Sequence, residues 1–378
     1  MKPANKSIAI IAGARPNFMK VAPLCRELEK QKMRYVLINT GQHFSSAMAS
    51  SFLKEFQLKP DYTLSPSRQT VARQMADIQN GLKKIFNKVK PGLVIVVGDV
   101  NSTLAGAQVA KEMNIPLAHI EAGLRSFNPA MPEEYNRIQT DRLADLLFVT
   151  QEEGVKNLRK EGVTKGVHFV GNIMIDTLKL FVKKTNQPKA ACPPEWRGRP
   201  LAEKIAGCYY FCTLHRAENV DNKKVFSEIV AALEAMSQDA IIYLPLHPRT
   251  KKMAEKFGLL SKLRSACKIL PPLTYAQSVA YQQNARLILT DSGGVQEEAS
   301  FLGVPCLTLR TETERPITVA QGTNVIAGVT KQSIFKAYRV IDFKKKKVSI
   351  EFWDGKTAQR IVDKIRNFIN NKDNVKKI

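Results

Sequence analysis

The sequence has no long apolar run. Leu93–Val97 is typical of its longest hydrophobic stretches, far short of the roughly 18 residues a membrane-spanning helix needs. The first such stretch, Ile8–Ala12, is too short for the apolar region of a secretory leader and runs directly into Gly13-Ala14-Arg15-Pro16. A soluble, cytoplasmic protein without membrane insertion is therefore expected. Cysteine is sparse. The six cysteines of this 378-residue chain (Cys25, Cys192, Cys208, Cys212, Cys267 and Cys306) form no C-x-x-C pair and join no histidine cluster at zinc spacing. A disulfide framework and a zinc-ribbon site are excluded, and reduced core thiols are expected. The first strand is not followed by G-x-G-x-x-G or by the usual ribose-binding acid, so a nicotinamide cofactor is not expected. Zinc fingers, RNP-like runs and an aromatic-interleaved basic groove are missing too, which argues against nucleic acid as a partner.

What is present is an ordinary globular composition, with 44% hydrophobic and 24% charged residues, enough for two sizeable cores and incompatible with global disorder. The charge is lopsided at +24, which favours anionic partners. Its densest part, Lys344–Ile378, has 11 Lys or Arg against 4 acids. That stretch also carries apolar residues at helical spacing (Ala358, Ile361, Val362, Ile365, Phe368, Ile369), so its lysines read as the wet face of a packed helix.

Short β-rich runs alternate with helical patterns. Strands are predicted at Ile8–Ala12, Tyr35–Asn39, Leu93–Val97, Leu117–Ile120, Leu146–Val149 and His168–Val170. A second series follows at Tyr209–Thr213, Ile241–Leu244, Lys268–Leu270, Leu287–Leu289, Cys306–Leu309 and Asn324–Ile326. Near-continuous apolar strands between helices indicate parallel sheets covered on both faces. The polar, Pro-rich stretch 183–200 reads as a linker. The expected architecture is α/β, with two Rossmann-like domains at 1–182 and 201–355, a cleft between them, and a C-terminal helix over 356–378 packing back across the domains.

In such sheets ligands sit beyond the carboxyl ends of the strands. Gly13-Ala14-Arg15-Pro16-Asn17, with Lys20 one turn on, reads as an anion-binding helix start, although an ordinary turn with a surface arginine would look the same. Asp99 follows the third strand, Glu121 closes the fourth, and Glu133 opens a helix after Pro132. All three converge on one sheet edge, where clustered carboxylates can act as general acid and base. In the second half His215-Arg216 follows a strand, with His247-Pro248-Arg249 a weaker parallel. The strongest local signal is Leu287 to Glu298, a buried strand, a turn with Ser292, Gly293 and Gly294, and a helix. Its backbone amides suit a diphosphate, and Glu298 suits ribose hydroxyls. Arg315-Pro316 repeats the Arg15-Pro16 arrangement.

Together, GARPNFMKVAP, GDVNSTLA, HIEAGLRS, MPEEYNR, LTDSGGVQEEA and TERP resemble the non-hydrolysing UDP-N-acetylglucosamine 2-epimerases, a family of GT-B fold. The resemblance runs from Ile8 to Gly328 and includes the tail residues Phe352-Trp353-Asp354-Gly355. It implies an isomerase that inverts sugar carbon 2 of UDP-N-acetylglucosamine to give UDP-N-acetylmannosamine. UDP is eliminated and re-added through a 2-acetamidoglucal, without metal or other cofactor, in a cell-surface polysaccharide pathway and as a homodimer. It also implies that Arg15, Lys20, Ser292, Gly293, Gly294, Glu298 and Arg315 bind the UDP portion. Asp99, Glu121, Glu133 and His215 are the implied catalytic set, supported by Arg137. Gln42, His43 and Arg68 match an activator site of many bacterial members, although Ser45 replaces a Gln expected close by. Where the family stacks an aromatic on uracil, Ser278 stands, leaving Tyr275 and Tyr281 as aromatic candidates.

Three other readings share some of these features. An epimerase for a UDP-2,3-diacetamido uronic acid would use the same carbon-2 chemistry. A GT-B glycosyltransferase would need an acceptor pocket in place of the carboxylate cluster. A non-catalytic binding protein would bind without turnover.

Overall fold

The computed structural model describes residues 7–42, 52–67, 69–185 and 209–375. By contacts the chain divides into two units, one running to Thr177 and resuming at Glu351, the other Leu178–Ile350. The crossing at Thr177 lies inside the helix Ile173–Thr185, ahead of the 183–200 stretch expected as a linker; residues 186–200 fall outside the described residues.

The first unit is built on a seven-stranded sheet of order β3-β2-β1-β4-β5-β6-β7. Its strands are β1 Ile8–Ala12, β2 Tyr35–Asn39, β3 Tyr62–Thr63, β4 Leu93–Val97, β5 Leu117–Ala122, β6 Leu146–Val149 and β7 Val167–Phe169. All its pairings are parallel. β1 and β4 are buried along their whole length, as strands covered on both faces must be. The helix Val71–Val89 brings Ile78, Leu82, Ile85 and Phe86, one stripe at i, i+4, i+7 and i+8, onto Ala9, Ile11, Val94 and Val96 of those strands. Each such side chain contributes about 1.5–3 kcal/mol by leaving water.

The second unit has a six-stranded sheet, β10-β9-β8-β11-β12-β13. Here β8 is Tyr209–Thr213, β9 Ile241–Pro245, β10 Lys268–Leu270, β11 Leu287–Thr290, β12 Cys306–Thr308 and β13 Asn324–Ile326. These pairings are parallel as well. Both sheets are therefore Rossmann-like, and strand order reverses at β1/β4 in one and at β8/β11 in the other. Those switch points are where an open α/β sheet binds its ligands.

Every strand expected from the sequence is present to within two residues. The pattern misses β3, a two-residue edge strand, and the helix Glu152–Lys160, which buries only Gly154 and Leu158 and so shows too thin an apolar stripe. The C-terminal helix Thr357–Val375 buries Ala358, Ile361, Val362 and Ile365 and packs against the helix Arg15–Lys30 of its own unit. Among the described residues no helix is long and apolar enough to cross a membrane.

Candidate active site

In the first unit the turn after β1 leads into the helix Arg15–Lys30. The Asn17 carboxamide oxygen accepts from the amides of Gly13 and Ala14, at 3.1 and 3.0 Å, and its nitrogen donates to the Val97 carbonyl, at 2.9 Å. Those amides are thus used within the chain, and the anion-binding capacity of this turn rests on the exposed Arg15. Lys20 is buried, and its ammonium pairs with the Glu121 carboxylate. Gly98, directly after β4, closes over this pair with φ +70; a Cβ there would sit within 3.4 Å of Asn17, Lys20 and Glu121. Glycine meets both constraints, the left-handed backbone and the close approach.

Glu121 was expected at a strand end. It lies within β5, at an irregularity in the pairing with β6, and holds φ +76. A non-glycine residue there stores strain of order 1–3 kcal/mol, and such strain gathers at functional sites. Asp99 is bound by Arg137, whose guanidinium donates at 2.6 Å. Asn136 donates to the Asp99 carbonyl, at 2.9 Å. Arg137 also donates to Glu134, at 3.0 Å.

Glu133 and its neighbour Glu134 differ in their surroundings. Glu133 is exposed on the first turn of the helix Pro132–Leu143, and its side chain forms no hydrogen bond or ion pair among the described residues. Glu134 is buried and accepts from the amides of Ser126 and Phe127, at 2.9 and 3.0 Å. Burial pushes its carboxyl up, but those amides and Arg137 outweigh burial and hold it below the ordinary range. The i, i+3 spacing from Glu134 to Arg137 was the available signal. Gln42 is buried and accepts from the amide and hydroxyl of Ser102, at 2.9 and 2.6 Å. His43, Ser45 and Arg68 lie outside the described residues.

In the second unit β8 ends beside β11. Asp291, immediately after β11, accepts from the amides of His215 and Arg216, at 2.9 and 2.8 Å, and lies 3.2 Å from the His215 ring nitrogen Nδ1. Burial raises the Asp291 carboxyl, yet His215 and the two amides outweigh it and keep the group below the usual range. Asp291 is a residue whose role the sequence reading missed. The signal was an acid directly after a buried strand, beside the strand that ends at His215. His247 caps the helix Pro248–Phe257 by accepting from the Arg249 amide, at 3.2 Å.

Ser292 precedes the helix Gly293–Leu302. Its amide donates to the Thr290 hydroxyl at 3.0 Å, so among the described residues the amides of the turn left open are those of Gly293 and Gly294. At either glycine an added Cβ would find nothing closer than 3.8 Å, so the protein's own packing does not require a bare backbone there. Glu298 is buried and accepts from Gln282, at 2.7 Å, and Gln282 in turn contacts Ser278, at 3.3 Å. Arg315 lies 2.7 Å from Glu297. Neighbouring Glu314 is lowered to about 2; burial alone would raise it, but Arg310, Arg216 and Arg315 prevail.

The two tyrosines near Ser278 point elsewhere. Tyr281 stacks on Phe211, with ring centroids 5.6 Å apart, and Tyr275 meets Phe181 edge-on at 4.9 Å. Both are core residues. Among the described residues no group of three or more His, Cys, Asp or Glu is placed to hold a metal ion.

Paired Rossmann-like units, one with buried acid–cation pairs at its switch point and the other with bare helix-start amides, define a nucleotide-sugar enzyme of GT-B type. The chain belongs to the UDP-N-acetylglucosamine 2-epimerase family, whose sequence pattern matches residues 26–366; these enzymes are isomerases. It is similar to the UDP-N-acetylglucosamine 2-epimerase of Methanocaldococcus jannaschii, 41% identical over 94% of this chain and 97% of that protein. It is also similar to the UDP-2,3-diacetamido-2,3-dideoxy-D-glucuronate 2-epimerase of Pseudomonas aeruginosa, 38% identical over 88% and 91%. The crystal structure of the M. jannaschii enzyme in complex with UDP-GlcNAc and UDP matches with a TM-score of 0.85 and 39% identity, covering 96% of this chain and 99% of that one. A UDP-glucosyltransferase from Polygonum tinctorium, 14% identical with a TM-score of 0.55 over 98% and 94%, shares the fold alone.

Proposed function

We propose that this chain interconverts UDP-N-acetylglucosamine and UDP-N-acetylmannosamine. The observation that carries this is the 41% identity over nearly the whole length of both chains to an enzyme of that name. The proton on sugar carbon 2 is weakly acidic, so a positioned base needs the help of a departing group. As the base takes that proton, its electron pair forms the C1–C2 double bond, and the C1–O bond breaks with its pair going to UDP. The product of this half-reaction is 2-acetamidoglucal. UDP oxygen then adds back to C1 while a proton is delivered to the opposite face of C2. Leaving-group departure is fast only where the diphosphate charge is stabilised.

In this reading Arg15, Lys20, Ser292, Gly293, Gly294, Glu298 and Arg315 hold the UDP portion. Asp99, Glu121, Glu133 and His215 handle protons, with Arg137 orienting Asp99. The strained backbone at Glu121, its contact with Lys20, and the Arg137–Asp99 pair support the carboxylate half. The open glycine amides and the Asp291–His215 contact support the other half. Gln42, His43 and Arg68 are retained as an activator site, on the family resemblance. A homodimer in a cell-surface polysaccharide pathway rests on the same resemblance. The buried free thiols Cys25, Cys212, Cys267 and Cys306 favour a reducing, cytoplasmic setting.

The test is proton NMR of the purified chain with UDP-N-acetylglucosamine in heavy water. The expected result is the manno epimer, with deuterium at carbon 2 of both isomers. Free N-acetylmannosamine with UDP would mean hydrolysis and sink the proposal. The similarity to the P. aeruginosa enzyme favours a second reading, the same inversion on a diacetamido uronic acid; turnover of that sugar alone would establish it.

A further inference from the structure

We propose that His119 and Asp141 are a buried positioning pair that sets Asp99 and Glu121 relative to each other; the proposal rests on the epimerase reading above. His119 lies on β5, two residues before Glu121, and its side chain is fully buried, as is that of Asp141. Neither can touch a substrate. His119 Nε2 lies 2.8 Å from the Gly98 carbonyl and Nδ1 lies 2.7 Å from Asp141. A carbonyl oxygen only accepts, so Nε2 donates. Burial pushes the Asp141 carboxyl up, but His119 and Arg125 outweigh burial and leave it below the ordinary range. The Asp141 carboxylate faces the other ring nitrogen, so the imidazole is held at both ends, between the Gly98 carbonyl and Asp141.

The other Asp141 oxygen accepts from the Gly123 amide, at 3.0 Å, and pairs with Arg125, at 2.8 Å. One His–Asp pair therefore spans from Gly98, the neighbour of Asp99, to Gly123, two residues beyond Glu121. The backbone needs such a tie at Glu121, a non-glycine residue held at φ +76; Gly98 and Gly123 take their positive φ freely. Conformations of this kind persist only where the surroundings over-determine them. A buried polar pair contributes little net stability over apolar packing; what it supplies here is direction.

The experiment uses the full chain with UDP-N-acetylglucosamine. His119→Gln keeps a donor toward Gly98, His119→Asn keeps one toward Asp141, and Asp141→Asn removes the shared charge. Steady-state kinetics, deuterium uptake at carbon 2, UDP affinity by calorimetry and thermal unfolding are recorded for each. The expected result is a kcat at least 30-fold lower in all three variants, with KM and UDP affinity within threefold of wild type. Combining His119→Gln with Asp141→Asn should cost no more than the worse single change, as for residues acting as one unit. A kcat within threefold of wild type overturns the proposal. So does a loss carried by KM, which would mean substrate contact, or a failure of all three variants to fold, which would make the pair purely structural. An inactive wild type defeats the epimerase reading and this inference with it; an active wild type with unaffected variants defeats the inference alone.

Discussion

Glu121 combines three properties that are individually uncommon. It is buried, it occupies a left-handed backbone position inside a strand, and it faces a lysine that is itself buried. A residue chosen for stability at that point would be glycine, which reaches φ +76 without a Cβ clash. What glutamate adds at that point is a carboxylate paired with buried Lys20. Glu121→Gln keeps the shape and the strain and removes the charge. We expect kcat for epimerisation to fall by about 10²–10⁴, the usual weight of a positioned acid or base. UDP affinity should stay within threefold, because glutamine keeps an acceptor oxygen toward Lys20 and most of the proposed UDP contacts, the glycine amides, Glu298 and Arg315, belong to the other unit. Lys20 is left without its counter-charge, so unfolding should also come earlier, and the kinetics are compared with calorimetric UDP binding on the same preparation. A kcat within tenfold of wild type would remove Glu121 from the chemistry.

At the level of elements, the helix start at Gly293–Gly294 separates folding from binding. A methyl group at position 294 would meet no atom nearer than Ser292 Oγ at 4.0 Å, and the residue lies in a helix. Gly294→Ala should therefore leave stability unchanged or raise it, by up to about 1 kcal/mol from helix propensity. The same methyl would stand over the open amides, and UDP affinity should weaken at least tenfold. Unchanged affinity in a folded variant would mean that these amides do not cradle the diphosphate. The strands and their order of appearance were legible because a parallel sheet buried on both faces demands near-continuous apolar runs, as in Leu93–Val97. The phosphate-type turn was legible because glycine after a buried strand has few other uses. Contacts made by strand order were not. His119 and Asp141 are 22 residues apart and meet only once β5 and the helix Pro132–Leu143 are packed. Asp291 reaches the His215 turn only because β8 and β11 are neighbours. Glu133 and Glu134 could not be told apart, since adjacent residues at a helix start differ only in helix phase. Tyr275 and Tyr281 turn inward because the apolar core outcompetes an exposed site for a large ring.

For the whole molecule, the chain passes from the first unit to the second after Thr177 and returns at Glu351. One carboxylate sits beside both crossings. Asp176 accepts from the amides of Thr357 and Ala358, at 3.1 and 2.7 Å, and so caps the C-terminal helix. The returning segment is held further by Phe352, which meets Phe169 edge-on at 4.9 Å and lies under Arg360 at 4.3 Å. Burial raises the Asp176 carboxyl to about 6, against the opposing pull of the Ala358 and Thr357 amides and with help from nearby Asp354. In the unfolded chain an aspartate titrates near 3.9. Between about pH 4 and 6 the folded state therefore binds the extra proton, so stability falls as pH rises through that window and is level above it. The full swing is about 3 kcal/mol. Asp176→Asn keeps one acceptor oxygen for the helix amides and cannot titrate. Native-state hydrogen exchange of the amides of Thr357–Val375 is the measurement. In the wild type their opening free energy should drop by about 2 kcal/mol between pH 4.5 and 7, and in the variant this pH dependence should vanish. The same pH dependence in both proteins would mean that Asp176 is already ionised at the low end of that range, and that the cap runs on full charge throughout.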